Sequence, residues 1–309
     1  MSTPLYWSAG SDVVKGQDLV DKAGMTVPDN ASWGHIRDVA GAIHDPDNGV
    51  YGICLRGKPG WGDNAAFITT MANSFGARWF DEDWKPQLNS PEWNHAVSFY
   101  IDLLSTYGPP GSTSNSFNEI LALYNEGKCG MWIDATIAAS FISDPKQSKV
   151  ADKVAFAQAP IAVTNRGANW LWAWSLAVPA GSKNQVEAEK FVKWATSQDY
   201  IKLVAKENGW ANVPTGTRKS TYETPEFQEA AVFAEAELKA IQSANPENST
   251  LLPTPYVGVQ FAAIPEFPEV GSAVAQEMAA ALSGAKSVDD ALAAAQSAAD
   301  AIMSEAGYY

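Results

Sequence analysis

The residues best equipped for chemistry stand beside strand-like segments. Arg56 follows the β-rich stretch 50–55, Trp61 lies in the glycine-rich stretch 57–62 just after it, and Asp134 follows the strand-like 129–133. A third stretch carries Asn169-Trp170-Leu171-Trp172-Ala173-Trp174. Ligands of open α/β sheets bind beyond the carboxyl ends of strands. An indole stacked on a C–H face, flanked by Arg, Asp and Asn that hydrogen-bond hydroxyls, is what a sugar or polyol needs. If 170–178 is a strand, alternation sends Trp170, Trp172 and Trp174 to one face and Asn169, Leu171 and Ala173 to the other. Core packing accounts for any one of these indoles equally well.

Other chemistries lack their residues. The sequence has no G-x-S-x-G elbow, no Walker A motif and no G-x-G-x-x-G; Gly57-Lys58-Pro59-Gly60-Trp61-Gly62 lacks the G-K-[ST] ending. His35, His44 and His95 show no metal-ligand spacing, so no metal or other cofactor is expected. A calcium loop opening at Asp45 would require Glu at its twelfth position, which is Arg56. Carboxylates are plentiful, and a glycosidase pair needs only to meet in space. A carbohydrate-active hydrolase with an unmarked pair is therefore the alternative reading.

Among 309 residues, 35 Asp and Glu outnumber 21 Lys and Arg, a net charge of −14. Nucleic acid and anionic membrane surfaces are poor partners for such a chain, whereas a small neutral ligand fits it. The apolar runs at 135–139 and 171–179 fall short of the roughly 20 residues a membrane span needs. The first 25 residues hold no apolar h-region, so no signal peptide is expected in the chain as it stands. Cys54 and Cys129 are too few for a disulfide framework or a four-thiolate zinc site. They are either two separate buried thiols or one bridge closing about 75 residues, worth roughly 4 kcal/mol in the chain-entropy model.

The elements that must position these residues mix helix and strand, which predicts an α/β fold. Ser32 caps an apolar-periodic helix that ends before Asp45-Pro46-Asp47-Asn48-Gly49. Ser90-Pro91 opens an amphipathic helix to Tyr107, stopped by Gly108-Pro109-Pro110. Further helices are expected at 18–24, 65–75, 117–125, 137–141, 187–197, 200–208, 225–244, 271–283 and 288–305, and strands at 50–55, 129–133, 154–158 and 170–178. No internal repeat occurs, and 243–255 is the most loop-like long segment.

Four motifs together carry a family resemblance: Tyr51-Gly52-Ile53-Cys54-Leu55-Arg56-Gly57, the run from Asn125-Glu126-Gly127-Lys128-Cys129-Gly130-Met131-Trp132 through Ile133-Asp134-Ala135-Thr136, Trp170-Leu171-Trp172-Ala173-Trp174, and Pro255-Tyr256-Val257-Gly258-Val259-Gln260-Phe261. From about Gln17 onward the chain resembles the extracellular solute-binding proteins of sugar ABC transporters. The nearest group is the sorbitol- and mannitol-type polyol binders, with maltose-binding protein more distant. The resemblance implies a type II periplasmic-binding fold of two lobes with a hinge, and a non-enzymatic monomer. Such a protein closes on a neutral polyol or sugar and presents it to the permease subunits of the importer.

Carried over by motif, Arg56, Trp61, Asp134, Asn169, Trp170 and Trp172 would line the second-lobe wall of the cleft, with Gln260 and Phe261 approaching from the returning segment. The resemblance also favours a Cys54–Cys129 bridge and a periplasmic setting. It further implies that the second lobe comprises 1–175 and 250–309, with 176–249 a helical part of a first lobe that is incomplete. Without a signal peptide the chain as given would stay in the cytoplasm. A cleft lacking half its wall would bind weakly, or be a fragment without ligand function, because enclosure supplies affinity for small polar ligands.

Overall fold

The computed structural model describes residues 6–309. Its central sheet is β2 (Ser11–Gly16) between β3 (Met131–Ala135) and β4 (Val154–Gln158), both antiparallel to β2. A separate two-stranded ribbon pairs β1 (Tyr6–Ala9) with β5 (Trp172–Ser175), Ala9 opposite Trp172. Only Gly10 separates β1 from β2, so the chain passes through one residue from ribbon to sheet.

The helices are α1 (Gln17–Lys22), α2 (Trp33–Ile43), α3 (Asn64–Ser74), α4 (Pro91–Tyr107), α5 (Phe117–Asn125), α6 (Ala138–Ile142), α7 (Gln185–Ala195), α8 (Gln198–Asn208), α9 (Lys219–Tyr222), α10 (Pro225–Ala230), α11 (Ala234–Ser243), α12 (Phe267–Leu282) and α13 (Val288–Glu305). Among the described residues no helix is long and apolar enough to cross a membrane. The expected caps form: the hydroxyls of Ser32 and Ser90 accept from the amides of His35 and Trp93.

Both faces of the sheet are covered, which is why every residue of β3 is buried rather than alternate ones. Val13, Ile133 and Ala157 face the large core built by α2, α3, α4, α12 and α13. Val14 and Trp132 face a second core with Ile120, Tyr124, Ala138 and Ile142. Helices α8 to α11 pack a third, around Ile201, Tyr222, Phe227 and Phe233. On α7 no residue is buried, and Val186, Phe191 and Trp194 stand exposed. Cys54 and Cys129 are bonded within the second core, their Cα atoms 5.9 Å apart.

The strands β1 and β2 are not among the expected ones, and four expected segments depart from the sequence reading. The stretch 50–55 is not a continuous strand; Tyr51 bridges singly to Cys129, just before β3, and Cys54 to Trp132 within it. Between them Gly52 presses against the Ala40 backbone of α2, and the Ile53 amide donates to the Tyr107 carbonyl instead. Asp134 lies inside β3 rather than after it, because pairing with β2 runs to Ala135. The strand expected over 170–178 shortens to β5, since both backbone groups of Leu171 bind the Gln260 side chain. The single helix expected over 225–244 is broken at 231–233. On one straight helix Phe227 and Phe233, six residues apart, would diverge by about 120°; the break brings both into one core, ring centroids 6.3 Å apart.

Candidate functional site

Arg56 leaves the edge segment just past the Cys54–Trp132 bridge, its carbonyl accepting from the Tyr100 hydroxyl at 2.7 Å. Its Nε and Nη2 donate to Asp134 Oδ2 at 2.7 Å and Oδ1 at 2.6 Å, a bidentate fork. Nη1 donates to the Gly62 carbonyl at 2.9 Å and lies 3.9 Å from Asp63 Oδ1. The guanidinium sits over the rings of Phe117 and Trp170, at 5.5 and 5.3 Å. Burial opposes its charge, but the attraction and hydrogen bonds of Asp134 outweigh that and hold its pKa above the ordinary value.

Asp134 is saturated. Its side chain is 1% exposed, and its two oxygens also accept from Trp132 Nε1 at 3.1 Å and the Ala135 amide at 2.7 Å. The carboxylate therefore holds Arg56 in place. Three of the five Arg56 N–H groups make the bonds above, leaving one on each terminal nitrogen outside them.

Beside this pair runs an aromatic wall. The half-buried Trp61 lies 5.8 Å from Trp172 and 6.4 Å from Phe267. Trp172 lies 5.8 Å from Phe261 and 5.6 Å from Trp174, which is 69% exposed. Gly271 on α12 permits the approach of Trp61: a Cβ there would stand 2.8 Å from the Trp61 Cβ.

Gln260 is buried and clamps Leu171, accepting from its amide at 3.1 Å and donating to its carbonyl at 2.9 Å. Trp170 is buried before β5 begins, its Nε1 donating to the Gly10 carbonyl at 2.8 Å. The three indoles thus do not share one strand face. Asn169 turns to Ser243, Nδ2 to Oγ 2.8 Å, with Oδ1 buried and unbonded.

The fold brings Arg56, Trp61, Asp134, Trp170, Trp172, Gln260 and Phe261 together and directs Asn169 elsewhere. Sequence reasoning passed over Asp63, which accepts from the Ser116 hydroxyl beside Arg56, and Thr136, which binds both backbone groups of Gly10. Nothing local marks Asp63, whose partner Ser116 is 53 residues away. Nothing local marks Thr136, since its partner is 126 residues away.

The chain matches the model of the bacterial extracellular solute-binding protein family over residues 4–202. It is 49% identical to the mannitol-binding protein of Pseudomonas aeruginosa over 98% of its own length and 69% of that protein's. An ABC transporter solute-binding protein from Agrobacterium vitis, solved with bound D-mannitol, superposes with TM-score 0.96 at 54% identity, covering 98% of this chain and 73% of that one. A ribitol complex from Agrobacterium radiobacter superposes with TM-score 0.82 at 25% identity, over 95% and 69%. These neighbours carry the type II periplasmic-binding fold expected from the motifs. With the family model matching residues 4–202 and a relative at 49% identity covering 98% of its length, the chain belongs to the bacterial extracellular solute-binding proteins.

Proposed function

We propose that this chain captures a linear polyol of the mannitol type and delivers it to the permease subunits of an ABC importer outside the cytoplasm. The reading is carried by the mannitol-bound relative that superposes with TM-score 0.96. The geometry agrees with it: Trp61, Trp172 and Phe261 offer apolar faces for the C–H edge of a polyol, and the free N–H groups of Arg56 suit its hydroxyls. Asp134, Trp170 and Gln260 act behind this surface by fixing Arg56 and Leu171. The chain works without a cofactor and as a monomer, with 1–175 and 250–309 forming one lobe and 176–249 belonging to the other.

Catalysis is no part of this reading. Asp134 accepts four hydrogen bonds and Asp63 is engaged by Ser116 and Arg56, which suits neither carboxyl to the proton-donating role of a glycosidase acid. Calorimetric titration with D-mannitol, D-sorbitol, ribitol and D-glucose, with tryptophan emission as a second signal, tests the proposal. Saturable heat with a hexitol and little with glucose is expected. A cooperatively folded sample that gives neither heat nor spectral change with any polyol would overturn it.

A further inference from the structure

The crossing at Gly10 is held from several sides. Its amide donates to Thr136 Oγ1 at 3.2 Å, and its carbonyl accepts from the Thr136 amide at 2.9 Å and Trp170 Nε1 at 2.8 Å. Against it lies α11: a Cβ on Gly10 would stand 2.6 Å from the Ala240 Cβ. The Thr136 hydroxyl in turn donates to Glu237 Oε1 at 3.3 Å. Glu237, on α11, is 1% exposed and accepts from Thr215 Oγ1 at 2.8 Å on Oε1 and from the Tyr222 hydroxyl at 2.8 Å on Oε2. One carboxyl therefore joins the crossing between ribbon and sheet to the segment 215–222.

We propose that Glu237 is a proton-sensitive latch on this crossing, holding α11 against β2 when protonated and loosening it when ionised. The titratable groups facing it are Tyr222 from α9 and Asp12 from β2, the latter also buried, with Asp29 beyond Asp12. On α11 itself, Lys239 pairs with Asp29 at the exposed rim and Glu235 lies beside it. From β4, Gln158 Nε2 reaches Asp12 Oδ1 at 3.5 Å and the Ala236 carbonyl at 3.0 Å, while Asp12 Oδ2 is buried without a partner. Two carboxyls thus share a buried interface, so ionising Glu237 places a charge there that three hydroxyl donors only partly compensate.

Burial pushes Glu237 up to about 7, and burial together with Glu237 raises Asp12 as well. A folded-state value above the ordinary one favours the latched form at low pH, and that advantage is lost as pH rises through about 7. With an ordinary value near 4.5 in the released form, the released fraction grows roughly tenfold between pH 6 and 8.

The inference rests on the fold and not on the polyol reading, and its test needs no ligand. Hydrogen exchange of the Gly10 and Thr136 amides in the full chain, corrected for intrinsic rates, is followed from pH 5.5 to 8.5. Wild type should lose about tenfold in protection between pH 6 and 8, with α12 and α13 unchanged. Glu237→Gln, which keeps the neutral form, should stay at the low-pH level throughout. Tyr222→Phe removes a donor to the ionised form and should move the midpoint to higher pH. A flat wild-type profile, a pH-dependent loss retained in Glu237→Gln, or a midpoint unmoved in Tyr222→Phe would each overturn the latch.

Discussion

Replacing Asp134 with alanine leaves the Arg56 guanidinium, 11% exposed and set between two aromatic rings, without its counter-charge. Breaking a buried pair by removing one partner costs about 3–5 kcal/mol, because the survivor is an uncompensated buried charge. The Trp132 indole N–H and the Ala135 amide lose their acceptor in the same step. Asp134→Ala should therefore lose about 4 kcal/mol in urea unfolding, read as a fall in midpoint at unchanged m-value. Arg56→Met in the same background should recover part of that loss, since a well-packed apolar pair replaces such a bridge at little cost. Any loss of polyol affinity in Asp134→Ala should follow from a displaced Arg56 rather than a missing ligand contact. A single variant within 1 kcal/mol of wild type would refute the premise that Asp134 exists to hold Arg56.

Gln260→Ala strands the Leu171 amide and carbonyl, and should cost about 1–3 kcal/mol in a thermal or urea melt while shifting the emission of the neighbouring Trp172. Denatured but unreduced oxidised protein should show no free thiol, and Cys54→Ala with Cys129→Ala should lose about 4 kcal/mol through the 75-residue loop they close. Gly10→Ala forces a methyl against Ala240 and should cost about 1–3 kcal/mol by overpacking, measured as a fall in unfolding midpoint. Trp172→Ala removes the ring shared by Trp61, Trp174 and Phe261; in a folded sample it should weaken mannitol binding at least tenfold by calorimetry, about 1.4 kcal/mol.

The helices were legible where local signals suffice. Ser32 and Ser90 mark their own helix starts, and the ends of α2, α4, α5 and α13 agree with periodicity and caps alone. The sheet was less so, because its pairing is long-range. The strand β2 lies against residues more than a hundred positions away, and no local pattern in Ser11-Asp12-Val13-Val14-Lys15-Gly16 announces a central strand. The Phe227–Phe233 break was invisible for a related reason: a helix interrupted to serve one core has the same composition as one that continues.

At the site, residue types were readable but their duties were not. Arg56, Asp134 and Gln260 all suggest ligand contact when seen as polar groups beside tryptophans. The structure shows that Asp134 and Gln260 spend their hydrogen bonds internally, on Arg56 and on the Leu171 backbone. A carboxylate left free in a cleft would present a full charge to a neutral ligand, and desolvating it would oppose binding. In the proposed reading, neutralising it against an arginine and leaving only the outer N–H groups of that arginine would give hydroxyls a donor without a buried unpaired charge. The aromatic wall would then supply contact area at little entropic cost, since each ring is already braced by another: Trp61 by Phe267, and Trp172 by Phe261. If the proposed polyol reading holds, discrimination falls to the few donors that remain, so altering the edge of Arg56 or the neighbouring Asp63 should change which stereoisomer binds more than it changes the fold.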